Sequence, residues 1–159
     1  MDAKFEIEKH LRERGIKWKV HTHPPVFSVE ESKRIKPNIP GVGTKCLFLR
    51  NEKRDFYLVC LPGEKRLNIK SLKSFLGVRK LNFANEEELA RELRTRPGSV
   101  SLFGAIFSKN TCVVIDSELW NAEITSYHPN DNTETWEMNR EHLHAFCRSL
   151  KNKLIVTDL

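Results

Sequence analysis

No apolar run in the 159-residue chain is long enough to cross a bilayer. Runs such as Cys46-Leu47-Phe48-Leu49 and Tyr57-Leu58-Val59-Cys60-Leu61 fall far short of the roughly 20 residues a spanning helix needs, so no membrane segment is expected. The start, Met1-Asp2-Ala3-Lys4-Phe5-Glu6, has acids where a signal peptide would carry an apolar stretch, which predicts a cytoplasmic protein. Paired cysteine motifs are missing as well. Cys46, Cys60, Cys112 and Cys147 are widely spaced with no C-x-x-C, and three of them sit in apolar strand-like runs; buried reduced thiols are expected, not a zinc knuckle or a disulfide framework. The chain has no G-x-S-x-G elbow, no H-E-x-x-H and no Gly-Lys-Ser/Thr phosphate loop, which removes the usual signatures of serine hydrolases, zinc proteases and P-loop enzymes. It also lacks repeats, low-complexity tracts and linkers, so residues 1–159 read as a single domain.

What is present is a foldable, electrically lopsided chain. With 39% hydrophobic and 30% charged residues it can bury an ordinary core, which argues against disorder. Residues 1–80 hold 19 bases against 9 acids and residues 81–159 hold 8 against 12, so the overall charge of +6 conceals a strongly basic first half. A basic side attracts polyanions, because each phosphate neutralised releases counterions. Lysines on solvated helix faces would give the same count without any ligand.

Periodicity and punctuation predict the elements in order. An amphipathic helix over 2–14 places Phe5, Ile7 and Leu11 among charges and stops at Gly15; a half-buried strand over 17–21 is broken by Thr22-His23-Pro24-Pro25. Ser28-Val29-Glu30-Glu31 is a capping box opening a short helix that Pro37 and Pro40 end. Strands over 45–50 and 56–61 form an antiparallel hairpin. Asn68 caps a helix carrying Ile69, Leu72, Phe75 and Leu76, stopped by Gly77, and a strand over 80–83 follows. Asn85 and three glutamates start a third helix that turns Leu89 and Leu93 inward, and 99–103 reads as extended. Strands over 112–115, 124–128 and 135–138, a helix capped by Asn139 and a strand over 154–156 complete the chain. Hairpins mixed with single helices predict an α/β fold, a mixed sheet surrounded by helices, in preference to strict β-α-β winding.

Three segments hold candidate chemistry. Lys45 follows Gly41-Val42-Gly43-Thr44 and enters the apolar strand Cys46-Leu47-Phe48-Leu49, where an ammonium is costly to bury without a partner. It either snorkels from a strand edge to water or stands at a pocket mouth aimed at a carbonyl or phosphate oxygen. Pro97-Gly98-Ser99-Val100-Ser101 is either an ordinary helix-to-strand turn or a cradle of backbone amides for an oxyanion. Tyr127-His128-Pro129-Asn130-Asp131-Asn132-Thr133 is a polar strand end of the kind that lines ligand clefts. The pairs His21/His23 and His142/His144 have no cysteine or acid at metal spacing, so no metal site is expected.

Taken together and in this order, His23-Pro24-Pro25-Val26-Phe27-Ser28-Val29-Glu30-Glu31, Gly43-Thr44-Lys45-Cys46-Leu47-Phe48-Leu49, Pro97-Gly98-Ser99-Val100-Ser101, Val113-Val114-Ile115-Asp116, and His128-Pro129 with Asn132-Thr133-x-Thr135 resemble the YbaK-like aminoacyl-tRNA deacylases. The resemblance is greatest to the freestanding branch related to the prolyl-tRNA synthetase editing domain, the ProXp-ala or PrdX type, and spans nearly the whole chain. It implies a mixed, mostly antiparallel sheet surrounded by helices, no metal and no other cofactor. It also implies hydrolysis of the ester joining a wrong amino acid, alanine for this branch, to the 3′ end of tRNA(Pro). Aminoacyl-tRNA is the implied partner, with prolyl-tRNA synthetase as a further one.

The resemblance also suggests roles. Lys45 would orient the ester or the terminal phosphate and ribose and stabilise developing negative charge, amides around Gly98 would receive the carbonyl oxygen, and His128 would contact the terminal nucleotide or order water. Phe27 and Cys46 would set the pocket volume. Thr44, Ser99, Val100, Ser101, Asn132 and Thr133 complete the implied substrate-binding set. Two positions depart from the family pattern: Cys46 stands where the family usually has Asn, and Leu102 where its G-x-x-x-P motif ends in Pro. Both bear on the pocket more than on the reaction. The competing expectations are a deacylase for serine or cysteine, and a noncatalytic module that binds tRNA ends or a synthetase.

Overall fold

The computed structural model describes residues 2–26, 28, 30, 31, 34 and 38–159. Helix α1 (Ala3–Glu13) starts where the Asp2 side chain accepts the Lys4 N–H at 3.1 Å. It buries Ile7 and Leu11, one turn apart, whereas Phe5 lies roughly 200° around the helix from Ile7 and is 52% exposed. The chain continues through β1 (Lys19–Thr22), β2 (Val42–Asn51), β3 (Phe56–Pro62), α2 (Ile69–Leu76), β4 (Leu81–Phe83) and α3 (Glu86–Glu88), which runs into a π-helical turn (Leu89–Leu93). A 3-10 helix (Leu102–Phe107), β5 (Cys112–Asp116), α4 (Ser117–Asn121), β6 (Ile124–Tyr127), β7 (Glu134–Asn139), α5 (Arg140–Ser149) and β8 (Leu154–Thr157) follow. After β1, the Ser28 hydroxyl accepts the Glu31 N–H at 3.1 Å, as a cap requires; Val29, the stop at Pro37 and the pocket candidate Phe27 lie outside the described residues.

The eight strands form one mixed sheet in the order β1-β7-β6-β2-β3-β5-β8, with β4 also paired to β2. The β1/β7, β6/β7, β2/β3 and β2/β4 pairs are antiparallel, and β2/β6, β3/β5 and β5/β8 are parallel. One face packs Ile7 and Leu11 of α1 with Phe103, Trp136 and Phe146 in an apolar cluster. The other packs Leu49, Val59 and Val114 against Leu72 of α2. Asn68 and Gly77 cap α2 as expected, the glycine in the left-handed region (φ 70°), yet Phe75 is 58% exposed on its outer face.

Two local expectations are corrected. The 99–103 segment is not a strand: the Ser101 hydroxyl accepts the Phe103 N–H at 3.0 Å and starts the 3-10 helix, whose Phe103 ring wedges against Tyr127, Trp136 and Phe146. The unforeseen α4 begins where Asp116 accepts the Glu118 N–H at 2.9 Å. Glu88 ties the third helix to the sheet, closing a capping box with Asn85 and pairing with Arg50 at 2.7 Å. Burial pushes its carboxyl up, but the Asn85 N–H and the Arg50 guanidinium outweigh that and hold it below the usual carboxylate range.

Strand β2, ten residues long, joins the two halves of the sheet. It pairs with β6 only through Val42↔Thr125 and Gly43↔Ser126, and with β4 only from Leu49 onward, while β3 runs along its other edge. Among the described residues no strand pairs with that first edge from Thr44 to Phe48, and the sheet splits there. Entry into the split depends on Gly41 (φ +86°), where a Cβ would meet the Ile124 carbonyl oxygen at 2.4 Å; at Gly43 the nearest atom would be Ser126 Oγ at 3.9 Å. Gly41→Ala should therefore lose at least about 2 kcal/mol of stability, from left-handed strain plus backbone separation. Gly43→Ala should stay within about 1 kcal/mol of wild type. Denaturant unfolding of the two variants checks the contrast.

Candidate active site

The split opens into a pocket of about 770 Å³, within the size range of small-molecule sites. One wall is the start of β2, from Gly41 to Cys46, facing the β3 end at Pro62 and Gly63; the opposite wall is Ser126, Tyr127 and His128 at the end of β6, with Thr135 of β7. Gly98 and Val100 close one side. The structure thus brings together Lys45, Thr44, Cys46, Gly98, Val100 and His128.

Lys45 is half-buried at the point where β2 loses its neighbour. Among the described residues no carboxylate lies within salt-bridge distance of it, whereas nearby Lys65 is spoken for by Asp116 at 2.7 Å. Burial, and then the positive charge of exposed Arg66, push the Lys45 ammonium below the ordinary lysine range. An ammonium in this position is short of solvation and has no described carboxylate at salt-bridge distance, which favours an incoming oxygen that carries or develops negative charge. Arg66 was not legible as part of the site, because its effect depends on the fold bringing it beside Lys45.

The imidazole wall is oriented by hydrogen bonds. His128 Nδ1 lies 3.1 Å from the Glu134 carbonyl oxygen, which only a protonated nitrogen can satisfy, so the neutral ring carries its lone pair on Nε2. His23 packs edge-on to it, with ring centroids 6.4 Å apart. By the same logic His23 Nδ1–H donates to the Pro24 carbonyl at 2.8 Å, and its Nε2 accepts from the Thr135 hydroxyl at 2.7 Å. Thr135 is therefore part of the wall and His23 stands behind it; the sequence motifs contained both residues without giving either a role in the site, and their meeting follows from the β1/β7 pairing. The other histidines serve the fold: His21 pairs with Glu137 at 2.9 Å, His142 Nδ1 accepts the Lys17 N–H, and His144 stacks on Trp120.

Gly98 adopts φ 90°, a left-handed backbone that favours glycine. The turn is held from both sides, since Thr95 Oγ1 donates to the Ser99 carbonyl at 3.0 Å and the Ser99 N–H donates to the Arg96 carbonyl at 3.1 Å. The Ser99 amide is thus committed, whereas the Gly98 and Val100 amides bond no described residue. Four residues expected to touch substrate lie off the pocket wall. Ser99 and Ser101 are buried in the turn and its cap; Asn132 is buried with its side-chain amide on the Val26 carbonyl at 3.3 Å; Thr133 binds Asp131 through both its amide and its hydroxyl. They shape the segments that carry the wall. Thr44 Oγ1 is buried with no hydrogen-bond partner among the described residues.

Comparison with known proteins places the chain in a family and bears on its fold. A family model described as an aminoacyl-tRNA editing domain matches residues 23–146. The prolyl-tRNA editing protein ProX of Acetoanaerobium sticklandii is 32% identical over 100% of this chain and 99% of that protein. Prolyl-tRNA synthetase associated domain-containing protein 1 of Danio rerio is 30% identical over 98% of this chain and 87% of its own length. A solved structure described as a candidate trans-editing enzyme for prolyl tRNA synthetase superposes with a TM-score of 0.75 at 18% identity, covering 98% of this chain and 96% of that one, a likeness of fold. With the family model spanning most of its length and a relative aligned throughout, this chain belongs to the aminoacyl-tRNA editing domain family.

Proposed function

We propose that the chain is a trans-editing aminoacyl-tRNA deacylase that hydrolyses the ester joining a wrong small amino acid, alanine foremost, to the 3′ end of tRNA(Pro). The observation that carries this reading is Lys45, desolvated and without a carboxylate partner among the described residues, in one pocket with Gly98 and His128. Family membership and the name of the Acetoanaerobium relative support the reaction and the tRNA. The whole of residues 1–159 acts as one editing domain in the cytoplasm, where charged tRNA is found, with prolyl-tRNA synthetase as a further partner.

An aminoacyl ester is already activated, so the protein needs to supply position and charge stabilisation more than a nucleophile. Lys45 holds the ester or the adjoining phosphate and ribose and stabilises the oxyanion that forms when water adds to the carbonyl; the Gly98 and Val100 amides offer further donors. His128, on the wall of the same pocket, orders the water or the terminal nucleotide. Collapse of the tetrahedral species expels the ribose oxygen, which takes up a proton, giving free amino acid and uncharged tRNA. Cys46 on the pocket wall limits the acyl side chain to small groups.

Two measurements test this. Wild-type protein incubated with Ala-, Ser- and Cys-tRNA(Pro) should release alanine fastest, and Lys45→Ala should slow release by about 10²-fold, the usual loss when one oxyanion donor is removed. Saturable tRNA binding without ester loss would instead make it a binding module, and faster serine or cysteine release would reassign the substrate. The second measurement is the pH profile of kcat/KM, corrected for spontaneous hydrolysis. Activity needs the ammonium, so it should fall as pH rises through the lowered Lys45 value. Arg66→Ala removes one of the two causes of that lowering and should move the alkaline limb to higher pH, more so at low salt. A mere loss of tRNA affinity would lower the profile without moving the limb.

A further inference from the structure

Cys46 and Cys60, fourteen residues apart in the chain, are register partners on β2 and β3, and their Sγ atoms lie 3.0 Å apart. Directly opposed residues of an antiparallel pair share a face and have Cα atoms about 4.5–5.5 Å apart, inside the roughly 4.4–6.8 Å that a disulfide spans. The two sulfurs therefore need to close by about 1 Å to reach bonding distance, with the sheet pairing retained. The thiols are not equivalent. Cys46 lines the pocket, whereas Cys60 is 0% exposed, and burial followed by the Cys46 thiol pushes its own thiol up, which keeps it protonated. The remaining cysteines are placed otherwise. Cys112 pairs with Tyr57 and packs on the opposite face of the sheet, and Cys147 is buried on α5 with its thiol pushed up to about 12.

We propose that Cys46 and Cys60 form a reversible disulfide in response to hydroperoxides, with Cys46 attacking the peroxide and Cys60 resolving the product. The Cys46 thiolate takes one peroxide oxygen, the O–O bond breaks, and the departing hydroxide or alkoxide is protonated to water or alcohol, leaving Cys46 as a sulfenic acid. Cys60 Sγ then attacks that sulfur. The S–S bond forms, and the sulfenic hydroxyl leaves with the Cys60 proton as water. Two thiols have been oxidised by two electrons and one peroxide reduced, and a dithiol reductant reverses the change by exchange. Closing the bond shifts Cys46, a pocket-lining residue next to Lys45 on β2, toward Cys60 and fixes it there, so ester hydrolysis slows on oxidation. That last consequence rests on the deacylase reading; the cross-link does not.

The test exposes the full chain to hydrogen peroxide, counts free thiols and maps peptides by mass spectrometry. Thiols should fall from four to two with a Cys46–Cys60 linked peptide, and dithiothreitol should restore them. In Cys60→Ala, oxidation should halt at a Cys46 sulfenic acid that dimedone traps; should that variant fail to fold, Cys46→Ser should leave Cys60 reduced under the same dose. Retention of both thiols after Cys112 has oxidised, or linkage of Cys46 to another cysteine or to a second copy of the chain, would overturn the proposal. Hydrolysis of Ala-tRNA(Pro) should drop as the link forms and recover with reductant. Unchanged hydrolysis by fully linked protein overturns the control of the site, whereas absence of hydrolysis in the reduced protein strikes only the deacylase reading.

Discussion

A lysine ammonium at the rim of a split in a sheet, half out of water, within reach of an arginine's charge and with no carboxylate among the described residues at salt-bridge distance, is an unfavourable arrangement for a folded chain by itself. Burial and a like charge both oppose its ionisation. The fold could relieve the strain with an acid, as it does for Lys65 through Asp116 and for Arg50 through Glu88, yet it does not do so at Lys45 among the described residues. What gains from the arrangement is an oxygen carrying negative charge, and a tRNA 3′ end offers such oxygens on its phosphates and, transiently, on the ester carbon. In the proposed reaction the preorganised cation is a cost in the empty protein that substrate and transition state offset.

The rest of the site follows from holding that cation in place. β2 carries Lys45 because it is shared by both halves of the sheet, and it approaches β6 only because Gly41 has no Cβ. The Gly98 turn is anchored from behind by Phe103 in the aromatic cluster, and the His128 wall by the Glu134 carbonyl. Residues expected to touch substrate, such as Asn132 and Ser101, do their work one layer back, where they satisfy the backbone of the segments that do reach the pocket.

The parts legible in the sequence were those encoded locally. The caps at Asn68, Asn85 and Asn139, the stop at Gly77 and the hairpin around β2 and β3 rest on short-range chemistry, and the ordered motifs located Lys45, Gly98 and His128. What was not legible depends on long-range pairing. The apolar run from Leu102 to Phe107 has no period that separates a strand from a 3-10 helix, and α4 is too short to show one. The meetings of Lys45 with Arg66, His23 with Thr135 and Cys46 with Cys60 are products of register and packing that spacing along the chain does not reveal. Ser99 and Thr133 were polar residues in promising loops, but the Ser99 backbone and the Thr133 amide and hydroxyl are bound within the loops themselves.

The most direct measurement is an NMR titration of the Lys45 side-chain ammonium, free and with an amide-linked, non-hydrolysable alanyl-adenosine analogue. Lys45 should titrate below the ordinary lysine range in the free protein, and its resonance should shift on adding the analogue while those of the surface lysines stay in place. An ordinary lysine titration, unmoved by the analogue, would contradict the role given to Lys45.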